Sequence, residues 1–329
     1  MNLMARMRKV RDVLHRQLPY DYPRQLRIVK KASAGIRGFE ALLFPDFVGR
    51  YGLGHFDRSL DALEFFTPLG SSEFGVRPFL LSDPQRTLKR MLVWAQHEDP
   101  QVRRLASEGC RPRLPWAPAL PLFKKDPTPV LPILRTLKAD PSEYVRRSVA
   151  NHLNDIAKDH PDIALSLARE WLGTSPLTDW IVRHGCRTLL KAAHPDALAL
   201  FGYGGRVTAA VRELKLSKQK VRIGEALGFS FTLEVKGRKP TRFRMEYAVY
   251  FMKANGKPVK KIFQIAEKDF PSGDTTISRT HRFHDLTTRK HHPGEHVVAV
   301  ILNGREQARL TVILGPKVEK TLDPPTGVS

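Results

Sequence analysis

The sequence predicts a mainly α protein, a HEAT-like α-helical repeat solenoid followed by a smaller all-β immunoglobulin-like sandwich. Three observations predict it. Apolar residues recur at helical spacing up to about Phe201 and alternate in short runs from Val207 onward. A Val-Arg signature returns at near-constant intervals within the first part. The 329 residues also exceed what one compact core usually holds, so two domains are expected.

The elements follow in order. Met1 to Leu18 mixes apolar residues with Arg6, Arg8, Lys9, Arg11 and Arg16. Without an unbroken apolar core or a small-residue cleavage site, it reads as a short amphipathic helix and not as a secretory signal. Val102-Arg103-Arg104, Val145-Arg146-Arg147 and Val182-Arg183-His184 each fall early in a predicted second helix, 43 and then 37 residues apart. Val76-Arg77 is a weaker echo. Such intervals approach the HEAT period of about 40–47 residues. Asp99-Pro100 and Asp140-Pro141 stand at matching offsets as turn and start signals. The boundary is expected near Tyr203-Gly204-Gly205-Arg206, giving a repeat domain over 1–205. Strand-like runs then cover 221–234, 242–252, 259–266, 275–283, 296–303 and 307–314, with Asn255-Gly256, Ser272-Gly273 and Asn303-Gly304 between runs. Six or seven such strands over 206–315 suit a sandwich that lacks the usual bridging cysteines. Residues 316–329 read as a disordered tail.

Charge narrows the partners. Lys and Arg number 55 against 33 Asp and Glu, a net +22. The first 205 residues hold 31 basic against 21 acidic side chains, and 206–315 hold 22 against 10. Such an excess favours nucleic acid, through release of its counterions. No apolar run approaches the roughly 20 residues of a membrane span, and no lipidation motif or long amphipathic anchor is present. Cys110 and Cys186 offer neither a disulfide framework nor zinc-ligand spacing, and they fit a reducing cytoplasm. The Walker loop, the GxSxG elbow, the HExxH site and the dinucleotide fingerprint are all missing. Cofactor-free chemistry without a metal, or no chemistry, is what remains.

Three groups of residues could act on a nucleic acid. On the helix starting at Ser142, Val145, Val149, Leu153 and Ile156 form one apolar stripe. Glu143, Arg147, Asn151 and Asn154 fall opposite, with Arg146 on the flank. A carboxylate among phosphate-binding groups costs affinity, so it needs either an ion-pair partner at i+3 or i+4 or a chemical role. The segment from Ser107 to Ala117 is stiffened by Pro112 and Pro115 and presents Glu108, Arg111, Arg113 and Trp116. Packing of Trp116 in a core is the competing reading. Further on, Trp180, Arg183, His184 and Arg187 share one helical face, an aromatic beside cations as at sugar–phosphate surfaces.

The segments SSEFGVRPF (71–79), SEGCRPRLPWA (107–117) and YVRRSVANHLNDIAKDHP (144–161) resemble the AlkC-type DNA alkylation repair glycosylases. The resemblance covers roughly residues 35–205, and one subgroup of that family carries an immunoglobulin-like domain after the repeats. It implies excision of cationic bases such as 3-methyladenine and 3-methylcytosine from double-stranded DNA, without the deep base-flipping pocket of most glycosylases. It also implies a monofunctional hydrolase needing no cofactor and no obligate protein partner, acting as a monomer in the bacterial cytoplasm, near the nucleoid. A carboxylate would then stabilise the oxocarbenium-like sugar, with Glu108 and Glu143 on matching edges of successive repeats as first choices and Trp116 beside them. Asp155 and Trp180 are second choices. Arg111, Arg113, Arg146, Arg147, Arg183 and Arg187 would contact DNA, together with Asn151, Asn154, Trp180 and His184. The alternative is a non-catalytic nucleic-acid-binding clamp, which would have no use for Glu108 and Glu143 in a basic groove. A repeat scaffold for acidic proteins is a weaker third reading.

Overall fold

The computed structural model describes residues 3–205, 208–286 and 290–317, so nearly all of the predicted tail lies outside the described residues. Contacts divide the chain into two compact units, Met1–Leu189 and Leu190–Ser329.

The first unit is helical. Its helices are α1 (Leu3–Gln17), α2 (Tyr22–Ala32), α3 (Leu43–Tyr51), α4 (Phe56–Phe66), α5 (Arg77–Ser82), α6 (Pro84–Trp94) and α7 (Pro100–Glu108). They continue as α8 (Pro121–Lys125), α9 (Leu131–Leu137), α10 (Glu143–Asp159), α11 (Pro161–Trp171), α12 (Pro176–Gly185) and α13 (Arg187–Lys191), the last crossing the boundary. The prolines between periodic segments open helices: Pro84, Pro100, Pro161 and Pro176 each take the first helical position, where no amide hydrogen is needed. Asp83, Asp99 and Ser175 cap the free amides ahead of three of them.

The Val-Arg repeat corresponds to a row of neighbouring helices, for α10 packs between α7 and α12. Val102, Val145 and Val182 are all buried. Two arginines of the signature do the same structural work. Arg103 donates to the carbonyls of His97 at 2.9 Å and Glu98 at 2.7 Å. Arg146 donates to those of Asp140 and Pro141, each at 2.8 Å. In both cases the acceptors lie six and five residues upstream, so the guanidinium ties the interhelical loop to the helix after it. Arg146, expected on DNA, is therefore engaged within its own repeat.

Helix α10 also departs from expectation in having no wholly solvated face. Ser148, His152, Asn154 and Asp155 are buried with the apolar stripe. The cause is its central place, with α7, α9, α11 and α12 packed around it. Buried polar groups then need partners from neighbours. Asn154 Oδ1 accepts from the Thr188 amide at 3.3 Å and its hydroxyl at 2.8 Å, so it braces α13.

The second unit begins earlier than the sequence suggested, with α14 (Pro195–Leu200) included. A Cβ on Gly304, in the turn of the last hairpin, would come within 2.5 Å of Ala193 Cβ and 3.1 Å of Leu198. The segment leading into the strands thus packs on that turn. Eight strands follow: β1 (Ala209–Leu216), β2 (Lys220–Arg222), β3 (Ala226–Val235), β4 (Thr241–Met252), β5 (Pro258–Phe270), β6 (Gly273–Arg282), β7 (Gly294–Leu302) and β8 (Arg305–Gly315). They form a β1-β3-β6 sheet and a β2-β8-β7-β4-β5 sheet. The sheets share one core in which Leu227, Phe229, Phe231 and Leu233 alternate along β3 opposite Phe243, Met245, Val298 and Val300. This is the expected immunoglobulin-like sandwich. The run 221–234, read as one strand, is two strands in different sheets. Gly224, at φ +101°, makes the break. Asn303 and Gly304 both have positive φ, as a two-residue hairpin turn requires.

Candidate active site

An alternating chain of acid and base is built where α7, α10 and two loops meet. Glu73, in the turn before α5, accepts at Oε2 from Arg104 and from the Ser71 hydroxyl, each at 2.6 Å. Arg104 on α7 also reaches Glu108 Oε1 at 3.5 Å. Glu108 Oε1 accepts from Arg111 at 2.7 Å, and its Oε2 accepts from the Ser148 hydroxyl at 2.6 Å. Arg111 continues to Asp155 through two nitrogens, at 3.0 and 2.9 Å. Asp155 Oδ1 accepts from Lys158 at 3.2 Å. Three carboxylates thus stand among three cations.

Accessibility separates the carboxylates. Asp155 and Glu108 are 2% and 5% exposed, and both oxygens of each are bonded. The Glu73 side chain is 15% exposed, and its Oε1 has no hydrogen-bond partner among the described residues. Burial opposes the charge on Arg104, yet Glu73 and Glu108 on either side hold it above the usual arginine range. The Tyr144 ring covers its other side, 4.5 Å from centroid to guanidinium carbon. Behind the cluster, burial and then the charge of Arg111 push His152 down to about 3, so it is neutral. Its Nδ1 lies 3.0 Å from the Ser107 carbonyl, to which it donates.

The loop after Glu108 is clamped from α5. Arg77 is buried and donates to the carbonyls of Gly109 and Arg111, each at 3.0 Å, and of Pro118 at 2.5 Å. Burial pushes it down to about 10. The clamp fixes the segment bearing Arg111, Arg113 and Trp116. Trp116 does not pack in a core: it is 81% exposed and held at φ +66°, a strained backbone for a side chain of that size. Arg113 pairs with Asp159 at 3.1 Å and holds that carboxyl below its usual range.

The expected pairing of Glu108 with Glu143 is corrected by register. Glu108 lies six residues after Val102, the place taken by Asn151 after Val145, whereas Glu143 lies two residues before Val145. Glu143 is the first residue of α10, exposed, and paired with Arg147 at 2.6 Å. That is the i+4 ion pair already weighed, and it shares no hydrogen bond or ion pair with the cluster among the described residues.

The third predicted group joins the site from the other side. Trp180 stacks on His184 with ring centroids 5.1 Å apart. Burial, then Arg187 and Arg147, push His184 down to about 4. Arg187 donates to the His184 carbonyl at 2.6 Å and to Asn151 Oδ1 at 3.0 Å. Burial lowers its pKa, while Asp155 and Arg111 lie within electrostatic reach. Arg183 is exposed on the same helix. The residues missed by sequence reasoning are Glu73, Arg104 and Ser148. Glu73 lay within the recognised 71–79 segment, but a turn gives no periodic face, and its partner Arg104 is 31 residues away.

Comparison with known proteins places the chain among others of this design. A family model described as the C-terminal Ig-like domain of the uncharacterised protein YhaZ matches residues 210–316. The uncharacterised protein YhaZ of Bacillus subtilis (strain 168) is 46% identical over 305 residues, covering 92% of this chain and 85% of its own. Among solved structures, Pseudomonas fluorescens alkylpurine DNA glycosylase AlkC, bound to DNA containing an abasic site analog, matches with a TM-score of 0.92. It is 41% identical and covers 96% of this chain and 88% of its own.

Proposed function

The chain belongs to the AlkC family, and from that premise we propose that it is a DNA glycosylase of alkylation repair. Its substrates are cationic alkylated bases in double-stranded DNA, 3-methyladenine and 3-methylcytosine foremost, and it is a monofunctional hydrolase. The observation that carries this reading is the cluster of Glu73, Glu108 and Asp155. Glu108 and Asp155 serve the arginines they hold, but a protein of net charge +22 that only bound DNA would have no use for the unbonded Oε1 that Glu73 presents at the end of the cluster.

The chemistry suits such a cluster. An alkylated ring nitrogen makes the base a cation, so the N-glycosidic electron pair leaves with the base and neutralises it. No acid is needed at the leaving group. Positive charge develops on the sugar, and a preorganised carboxylate stabilises it. Glu73 is the group we assign to this, because its Oε1 is free to face substrate or water. Water adds at C1′ and gives its proton to that oxygen, leaving free base and an abasic site. Glu108 and Asp155 hold Arg104 and Arg111 in place. Arg147, Arg183, Arg187, Trp180 and Asn151 supply the phosphate and sugar contacts, and Trp116 an aromatic face. We place the protein in the bacterial cytoplasm as a monomer.

The test is release of free 3-methyladenine and 3-methylcytosine from methylated duplex DNA in the presence of a metal chelator. Base release with intact strands is the expected result. Salt-dependent duplex binding with no release from either lesion would favour the clamp.

A further inference from the structure

A cavity of about 330 Å³ opens beside the clamped loop, lined from α1, α3, α5 and residues 116–118. It lies at the small end of ligand-sized sites, about 300–1,000 Å³. Its apolar wall collects exposed side chains that a folded protein rarely gathers: Leu53 at 42%, Leu81 at 59% and Trp116 at 81%. Trp116 is held there against its backbone preference. The rim is cationic. Arg11 is committed to Asp12 and Asp46 and Arg77 to the loop carbonyls, but Arg8 and Arg50 make no hydrogen bond or ion pair among the described residues.

An aromatic and apolar wall with two guanidiniums at its edge that carry no ion pair matches a flat base attached to a phosphate. We propose that this cavity takes one unstacked nucleotide of the bound DNA, its base against Trp116 and Leu81 and its phosphate on Arg8 and Arg50. The proposal rests on the glycosylase reading for the presence of DNA. The cavity adjoins the carboxylate cluster through the Arg77-clamped loop and shares Trp116 with that site, while Arg8, Arg50 and Leu81 belong to the cavity alone. By receiving a nucleotide beside the lesion, the cavity would hold the duplex open without enclosing the damaged base.

The experiment uses the full chain and a duplex with a tetrahydrofuran abasic analogue, which contains no scissile base. 2-Aminopurine is placed opposite the analogue and, in separate duplexes, at each position flanking it. Binding is followed by anisotropy, unstacking by 2-aminopurine emission. The expected result is an emission change of at least twofold at one position. Leu81→Glu and the Arg8→Gln/Arg50→Gln pair should reduce it to less than a quarter while duplex affinity falls no more than about tenfold. Melting curves confirm that the variants are folded. No emission change at any position, or a change indifferent to both sets of variants, overturns the proposal and leaves base release from methylated DNA untouched. Failure to bind the duplex at all would overturn both.

Discussion

Replacing Glu73 by Gln removes one negative charge and keeps the side chain's volume and its acceptor toward Arg104 and Ser71. The fold should survive, since Glu73 is partly exposed and the remaining pairs of the cluster are unchanged. The rate should not. A unit charge 4 Å from a developing sugar cation is worth about 4 kcal/mol at an effective dielectric of 20. Removal of one preorganised group elsewhere costs about 2.7–4 kcal/mol. At about 1.36 kcal/mol per factor of ten, single-turnover release of 3-methyladenine should fall by roughly 10²–10³. Affinity for a duplex with a non-cleavable abasic analogue should hold or rise, because a carboxylate near phosphates has been neutralised. Glu143→Gln is the control, and an exposed i+4 pair contributes only about 0.3–0.5 kcal/mol. A Glu73→Gln rate within threefold of the unmodified protein would refute the assignment. Loss of activity in Glu143→Gln alone would restore the pairing expected from sequence.

Further outcomes follow from the same contacts. Arg146→Ala, which frees two loop carbonyls, should lower stability by about 1–3 kcal/mol in urea unfolding, with little change in the salt dependence of DNA binding. Arg147→Ala should do the reverse, leaving stability nearly unchanged and reducing the slope of log K against log salt by about one. His152 is held near 3 when folded against an ordinary 6.5, so the unfolded chain binds its proton first as pH falls. Its contribution is therefore complete above about pH 6.5 and is lost progressively toward pH 3, at about 1.4 kcal/mol per pH unit. His184, held near 4, adds to the same window, and His152→Asn should flatten only part of the fall in urea midpoint between pH 7 and pH 5. In the sandwich, Arg244 pairs with Glu246 at 2.6 Å and Glu267 at 2.8 Å, all three nearly buried. Arg244→Met should cost about 3–5 kcal/mol in the unfolding of the second unit, and adding Glu246→Leu should recover part of it.

The sequence by itself determined the two-part fold. Helical and alternating apolar periods are written locally, and so are Pro100, Pro161 and Pro176 at helix starts and Asn303-Gly304 at a hairpin. The repeated Val-Arg signature even foretold which helices would be neighbours, because a repeat stacks equivalent positions. It also pointed to Glu108, Trp116 and Asp155, through a stiff loop and a resemblance. What only the tertiary structure decided was which charges meet. Glu143 and Glu108 read as matching edges of successive repeats, yet one is an exposed first-turn residue and the other is sealed between α7 and α10. Arg146 and Arg147 are adjacent in sequence, but one is consumed by its own loop and the other is left at the surface. Glu73 meets Arg104 across 31 residues and Asp155 meets Arg111 across 44, and no local period encodes such distances. Ion pairing of that kind is fixed by how helices stack, since charge interactions fall with separation in space and take no account of separation along the chain.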